Sequence, residues 1–363
     1  MDKASPKYLE LVRWINTQIQ EKKLTAGQKM YSENELKEMF GVSRQTVRHA
    51  ISVLEGEGMI RRVRGSGTYI NDNRFVNLSK RMRVAVVTTY VDGYIFPRTI
   101  QGIENVLLEE GYSVQIAFSN NQGGKEKTIL EDILNRDEVA GIIVETTKSG
   151  IPNPNMKLYQ EILKRGIQVI FINSYYQGID IPHVSINDKM AGYRMTKYLI
   201  DMGHTKIGGI FKLDDGQGQF RYAGYMEAML EAGLEIDDTR ILWIDTVDIR
   251  RMDRLTDRVM ERYRDCTGLF CYNDEVAFGL LEVFKKAGIS VPRDISITSV
   301  DDSELAVLGE VGITSAPHPM EKLGKKAAEN LLQMIKAPFA DANFEFDVDI
   351  VQRDSVRRLD TAT

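Results

Sequence analysis

Between Ser32 and Ile70 the chain reads SENELKEMFGVSRQTVRHAISVLEGEGMIRRVRGSGTYI, and its start and stop signals leave little freedom in how it can fold. Ser32 stands three residues before Glu35, the capping-box spacing in which each side chain satisfies the other's loose backbone N–H, and Leu36, Met39 and Phe40 follow as one apolar face. A short helix is expected. Gly41 ends it, Ser43 caps a second, and Val47, Ala50, Ile51 and Leu54 recur at helical spacing to pack the second helix on the first. Past Gly58, the run Met59 to Val63, the Arg64-Gly65-Ser66-Gly67 tip and Thr68 to Ile70 read as a β-hairpin whose glycines permit close backbone approach. Upstream, Ser5 as N-cap and Pro6 at the first helical position start a helix with Tyr8, Leu11, Val12, Ile15 and Ile19 facing inward, ending near Glu21-Lys22-Lys23.

The second of the paired helices leaves Arg44, Gln45, Thr46, Arg48 and His49 outward at its amino-terminal end. Forked Arg donors suit guanine edges, Gln suits adenine, Thr suits a thymine methyl or a phosphate, and the free N–H groups of the helix start suit a phosphate. The basic hairpin tip then reads as a wing for phosphates or the minor groove. Lys7 is a further phosphate contact or else a solvated lysine. Charge along the chain agrees with duplex DNA as partner. Residues 1–83 hold 16 Lys and Arg against 9 Asp and Glu, a net of +7, whereas residues 84–363 hold 31 against 43, a net of −12. The cationic part is the part with the paired helices, as counterion release at phosphates requires.

In Glu33-Asn34-Glu35-Leu36, in Phe40 through Arg48 and in Leu54 through Gly58 the chain resembles the GntR-type winged helix-turn-helix family. That resemblance covers about the first seventy residues. It implies that Asn34, Ser43, Arg44, Gln45, Thr46, Arg48, Arg64 and Gly65 are the DNA-contact positions, with Lys7 behind them.

From Asn71 to Arg83 the chain turns polar and basic without periodicity, the signature of a linker. Short β-rich runs then alternate with amphipathic helices: Arg83–Tyr90, Ser113–Asn120, Val139–Glu145, Ile167–Asn173, His183–Asn187, Lys206–Phe211, Arg240–Asp245, Gly268–Asn273 and Asp294–Asp301 are the strand candidates. Such alternation predicts parallel sheets covered on both faces, and its length exceeds one comfortable sheet, so two α/β lobes with a cleft between them are expected. At the carboxyl ends of these runs the residue types change from aliphatic to polar and aromatic: Tyr90 through Phe96, Asn120, Glu145, Asn173, Asp188, Asn273-Asp274, Asp301-Asp302 and His318. Polar groups converging on a cleft, with Tyr90, Tyr94 and Phe96 to stack on a C–H-rich ring, suit a small polyol or sugar. Each alone has a plainer reading. Asp274 and Asp302 fit helix caps, and the aromatics fit lobe core.

This region resembles the effector core of the LacI/GalR repressors, itself similar to periplasmic sugar-binding proteins. The likeness rests on Asn187-Asp188 ahead of Gly192, Leu199 through His204, Arg221 through Tyr225, Phe270 through Asp274, Val300-Asp301-Asp302 and Pro317-His318-Pro319. It implies effector contacts at Tyr90, Tyr94, Phe96, Asp188, Arg221, Asn273, Asp301 and His318. Glu145 joins them as a strand-end carboxylate. A planar Arg221 fork can bridge adjacent hydroxyls while the carboxylates and amide pair around the ring. The LacI/GalR helix-turn-helix and hinge helix are missing here, and a GntR-type head replaces them. That combination resembles the arabinose repressors of Gram-positive bacteria.

The expected fold is therefore α/β, a two-lobed periplasmic-binding-protein-like core of parallel sheets carrying a small N-terminal α+β winged helix-turn-helix domain. Residues 1–70 form the head, 71–82 the linker and 83–363 the core with effector binding and dimerisation. The resemblance implies a repressor that leaves a near-palindromic operator when a sugar, L-arabinose, binds between the lobes. A different sugar or nucleoside, or a ligand acting as corepressor, stays open. No nucleophile elbow, phosphate-cradling Gly-Lys-Ser/Thr loop or partnered carboxylate pair argues for catalysis. Cys266 and Cys271 with four histidines give neither a disulfide framework nor metal-ligand spacing, so no metal and no cofactor is expected. The first residues carry charges where a signal peptide needs an apolar run, and no stretch is long and apolar enough for a membrane span, so a cytoplasmic homodimer acting on DNA is expected. A transport component would share the core but not the basic head.

Overall fold

The computed structural model describes residues 7–20, 23–56, 59–63, 66–70, 82–90, 93–136, 138–337 and 341–359. The expectations for Ser5, Pro6, Gly58, the wing residues Arg64 and Gly65, and linker residues 71–81 lie outside them.

The head comprises α1 (Lys7–Gln20), α2 (Glu33–Phe40), α3 (Arg44–Gly56) and the antiparallel pair β1 (Ile60–Val63) and β2 (Gly67–Ile70). The capping box forms as read: Ser32 N donates to Glu35 Oε2 at 2.7 Å, and Ser32 Oγ accepts from Glu35 N at 3.3 Å. Gly41 follows α2 at φ 58, the left-handed conformation that only glycine takes without strain. Ser43 Oγ accepts from Thr46 N at 3.1 Å to cap α3. Leu11, Val12, Ile15, Leu36, Val47, Ala50, Ile51 and Leu54 close one core. Met39 departs from its expected place and is 51% exposed. A two-turn helix presents only a narrow stripe to its neighbours, and Leu36 and Phe40, four residues apart, take it, Phe40 lying edge-on to Trp14 at 5.2 Å.

Among the described residues eleven strands build the core, in two parallel sheets. One has the order β13 (Phe344–Phe346), β7 (His183–Ile186), β6 (Gln168–Ile172), β5 (Gly141–Glu145), β3 (Arg83–Thr88), β4 (Ser113–Phe118). The other has β12 (Thr314–Pro317), β11 (Ser296–Asp301), β10 (Gly268–Cys271), β8 (Ile207–Lys212), β9 (Ile241–Ile244). Their strands are near-continuous aliphatic runs because both faces are covered. In the first lobe α4 (Phe96–Glu109) and α13 (Met320–Lys336) pack on one face, and α5 (Gly123–Arg136) with α6 (Met156–Lys164) on the other. In the second, α7 (Asp188–Asp201) and α8 (Gly216–Glu231) oppose α10 (Thr256–Arg262) and α11 (Asp274–Lys286), with the four-residue turns α9 (Thr246–Ile249) and α12 (Leu305–Leu308) at the margins. The chain crosses between lobes after Ile186, after Pro317 and after Phe346, so the last third of the sequence completes both.

One close helix crossing in each lobe depends on facing glycines. A Cβ on Gly324 of α13 would lie 2.0 Å from Thr99 O of α4, and one on Gly192 of α7 would lie 2.0 Å from Arg221 O of α8. Backbone cannot yield as a side-chain tip can. Gly324→Ala is expected to destabilise the core by about 3 kcal/mol, the upper range for overpacking. Gly123→Ala, with nothing within 4 Å of its new methyl, should stay within about 0.5 kcal/mol of the parent. Denaturant unfolding of both variants checks this, and equal stabilities would contradict it.

Candidate functional site

On the head, the amino-terminal end of α3 presents Arg44, Gln45, Arg48 and His49 to solvent while Val47 and Ala50 point inward. Lys7, Ser43, Gln45, Thr46 and His49 border one concavity with Tyr8, whose ring meets His49 edge-on at 4.4 Å. Arg44 Nη2 donates to Asn34 Oδ1 at 3.1 Å, and Glu33 Oε2 holds Arg48 Nε at 3.0 Å and Arg44 Nε at 3.8 Å. Seven of the nine expected DNA-contact residues therefore stand at one end of the α2–α3 unit. The pairing with Glu33 could not be read from spacing, since it joins residues on different helices.

In the core, backbone strain marks the cleft. Among the described residues seven non-glycines have positive φ: Tyr94, Asn120, Asn121, Lys148, Asn173, Asp301 and Asp302. Asp301 is the last residue of β11, and the others follow the carboxyl ends of β3, β4, β5, β6 or β11. Such conformations persist where the surroundings over-determine them, and they cluster at ligand sites.

Between the strand ends lies an inner cavity bordered by Tyr90, Tyr94, Phe96, Glu145, Asn173, Asn273 and Asp301 from the expected set. Its cavity volume is about 80 Å³. Thr146, Ser174, Lys212, Asp215, Tyr272 and Glu275 are among the other lining residues, none of them expected as contacts. Lys212 and Asp215 could have been: they obey the same strand-end rule once β8 is extended one residue past Phe211. Glu145 Oε2 accepts from Thr89 N at 2.7 Å and Thr89 Oγ1 at 2.6 Å, and Asn173 Nδ2 donates to its other oxygen at 3.2 Å. Burial raises the Glu145 and Glu275 carboxyls above their usual range. For Asp215 burial acts the same way, but the Lys212 ammonium at 3.4 Å and the Tyr272 hydroxyl at 2.8 Å outweigh it and hold that carboxyl low.

Asp188, Arg221 and His318 stand behind this wall rather than in it. Arg221 is 1% exposed. Its Nε donates to Asp188 Oδ1 at 2.8 Å, its Nη1 to Tyr272 O at 2.6 Å, its Nη2 lies 3.5 Å from Asp301 Oδ1, and its plane rests 4.8 Å from the Tyr272 ring. Tyr94 reaches across from the first lobe and donates its hydroxyl to Asp301 Oδ2. His318 Nε2 pairs with Asn173 Oδ1 at 3.1 Å, and burial lowers the imidazole to about 4, leaving it neutral near pH 7. Burial pushes the Asp188 carboxyl up to about 7 against the pull of Arg221. Arg221, expected to bridge ligand hydroxyls, is here paired internally with Asp188, Asp301 and the Tyr272 carbonyl. Asn273, besides lining the cavity, caps α11 by accepting from Val276 N at 3.1 Å, whereas Asp274 accepts from Ser303 N and Ser315 Oγ, both at 2.7 Å, and Asp302 pairs with Arg353 at 2.6 Å. The cap expectations for Asp274 and Asp302 are therefore replaced by cross-strand ties: each carboxylate fastens a neighbouring segment instead of its own helix.

Thr146 Oγ1 and Ser174 Oγ at this cavity are buried without a hydrogen-bond partner, as is His318 Nδ1 behind it. Buried polar atoms rarely stay unpaired, so the wall is set for a polar guest.

A winged helix-turn-helix head on a hinged two-lobed receptor defines a ligand-responsive transcriptional regulator. Residues 7–70 match the gntR family of bacterial regulatory proteins, and residues 196–356 match the periplasmic binding protein-like domain. The chain is 36% identical over 351 residues to the arabinose metabolism transcriptional repressor of Halalkalibacterium halodurans, covering 95% of this chain and 93% of that one. It is 34% identical over 369 residues to that of Geobacillus stearothermophilus, covering 99% and 100%. Among solved structures, the transcription regulator CcpA of Lactococcus lactis superposes with a TM-score of 0.69 at 27% identity, over 77% of this chain and all of that one. The chain belongs to the family of arabinose metabolism transcriptional repressors, regulators rather than enzymes. Among the described residues no helix is long and apolar enough to cross a membrane.

Removing the Arg221 fork would leave Asp188 and Asp301 buried without their cation. Arg221→Leu is expected to cost about 3–5 kcal/mol near pH 8. The Asp188 carboxyl binds its proton more tightly folded than unfolded, so its contribution is full at low pH and is lost as pH rises from about 4 towards about 7. Without Arg221 the proton is held still more tightly, and the penalty should shrink at pH 5. Denaturant titrations at both pH values check this, and a pH-independent penalty would contradict it.

Proposed function

We propose that the chain is a cytoplasmic repressor whose effector is a neutral pentose, L-arabinose, bound in the inner cavity. Residues 1–70 act as the reader, 71–82 as the tether and 83–363 as the receptor. The observation that carries this reading is the lining itself: Lys212 stands against Glu145, Asp215, Glu275 and Asp301, so an anionic ligand meets repulsion while hydroxyls meet acceptors. Tyr90, Tyr94 and Phe96 supply ring faces for the C–H side of a sugar. The arabinose assignment is supported by the names of the relatives.

Two chains pair through their cores and place two heads on half-sites of a near-palindromic operator. Lys7, Asn34, Ser43, Arg44, Gln45, Thr46 and Arg48 contact the duplex, with Arg64 and Gly65 at the wing. Sugar binds better to the arrangement that fits DNA less well. A coupling of about 1–3 kcal/mol changes operator affinity about 5- to 150-fold.

Calorimetric titration with L-arabinose, D-xylose, D-ribose and arabinose 5-phosphate tests the effector class. Free L-arabinose should bind and the phosphate ester should not; the opposite order would overturn the charge argument. Arg48→Ala should weaken binding to an operator duplex about tenfold or more while the sugar titration stays as in the parent, since base-reading arginines carry about 1–3 kcal/mol each. Unchanged operator affinity would remove Arg48 from the DNA face.

A further inference from the structure

Tyr90, just past the end of β3 in the first lobe, borders two spaces at once. It lines the inner cavity, and it lines an outer chamber with Asn121, Lys148, Thr246, Arg250 and Arg251. The ring is thus a partition between them. On the second lobe, Arg250 follows the short turn α9, whose start is fixed by a capping box between Asp245 and Asp248. Its guanidinium lies over the Tyr90 ring, 4.6 Å from the centroid. Arg250 borders the outer chamber and not the inner cavity, whereas its neighbour Ile249 borders the inner cavity and not the outer chamber. Among the described residues no carboxylate comes within ion-pair distance of Arg250, so the ring is the partner the geometry gives it. Phe96 meets the same ring edge-on at 6.2 Å, and the Tyr90 hydroxyl reaches Asn120 O at 3.4 Å. The ring is therefore held from its own lobe at one edge and at its hydroxyl, and from the opposite lobe on one face.

We propose that Arg250 is a positioning residue for the effector: stacked on Tyr90 from the opposite lobe, it holds that ring as the wall of the inner cavity and fastens the mouth, setting how long a bound pentose stays. This rests on the pentose reading above. A cation over an aromatic face is attracted by the ring quadrupole, and the attraction strengthens as water leaves. Such a pair forms only when the lobes approach, so it stabilises the closed, occupied arrangement and leaves the open one untouched. It slows dissociation, has little effect on association, and does not discriminate among pentoses, because Arg250 does not border the cavity that receives them.

Stopped-flow displacement of L-arabinose from the full-length chain tests this. Arg250→Ala should raise the dissociation rate about tenfold, with the order of preference among pentoses and the melting temperature unchanged. Arg250→Lys should recover part of the loss, since an ammonium is also drawn to the ring. Tyr90→Phe should keep the full effect of Arg250→Ala. In a Tyr90→Leu background, Arg250→Ala should change neither the dissociation rate nor, if that is too fast to time, the equilibrium affinity. A parent-like rate in Arg250→Ala, or an equal loss in the Tyr90→Leu background, would overturn the assignment. A parent chain that binds no pentose would instead overturn the effector reading and this inference with it.

Discussion

A single buried cation gathers the core. Arg221 lies inside α8 with no water to solvate it, so its charge must be answered by the protein, and the answers come from three segments: Asp188 at the start of α7, the Tyr272 carbonyl at the end of β10 and Asp301 at the end of β11. Asp188 stands at the first crossing of the chain between lobes, and Asp301 takes the Tyr94 hydroxyl from the first lobe. Neutralising one guanidinium thus fixes the ends of the strands that border the cavity. A charge so deeply buried is costly unless fully paired, and breaking such a pair costs more than forming it returns.

The cavity wall is built outward from that layer. Behind it the polar groups are saturated or neutral: Arg221 with its carboxylates, and His318 as an uncharged imidazole on Asn173. In front, the hydroxyl oxygens of Thr146 and Ser174 lack hydrogen-bond partners within the protein. Strained residues at five strand ends hold these groups in place, and the conformational cost is met by the sheets beneath them. Between the lobes Ser149 of the first donates to Asp215, which caps α8 in the second, at 3.0 Å, and Asn121 donates to Thr246 at 2.6 Å. Two lobes that meet through so many exchangeable hydrogen bonds can also part, and this is the property a ligand-driven switch needs.

Much of this was legible in the residues, for physical reasons that differ by region. The head follows from local rules, since the capping box, the glycine stop and the serine cap act within four residues of themselves. The strand-end rule located the cleft because a buried parallel strand changes composition abruptly where it meets solvent. It missed β12, which is four residues long and built of small or polar side chains apart from its proline, and β13, whose three residues are too few to show an alternation. Asp188 and His318, read from the same strand ends, and Arg221, supplied by the LacI/GalR resemblance alone, stand a layer behind the cavity, a distinction that sequence position makes only when the partners are known. Met39 shows the same limit at small scale: periodicity supplies a stripe but not its width. The role of Arg250 left no trace in spacing, because its partner Tyr90 lies 160 residues away on the other lobe.

The coupling between cavity and head is what makes these parts one regulator. Fluorescence anisotropy of a labelled operator duplex with the full-length chain, at fixed ionic strength, measures it directly as L-arabinose is added. A fall in operator affinity that saturates at the same sugar concentration as calorimetric binding is the predicted result. Full occupancy of the cavity by sugar with operator affinity unchanged would contradict it.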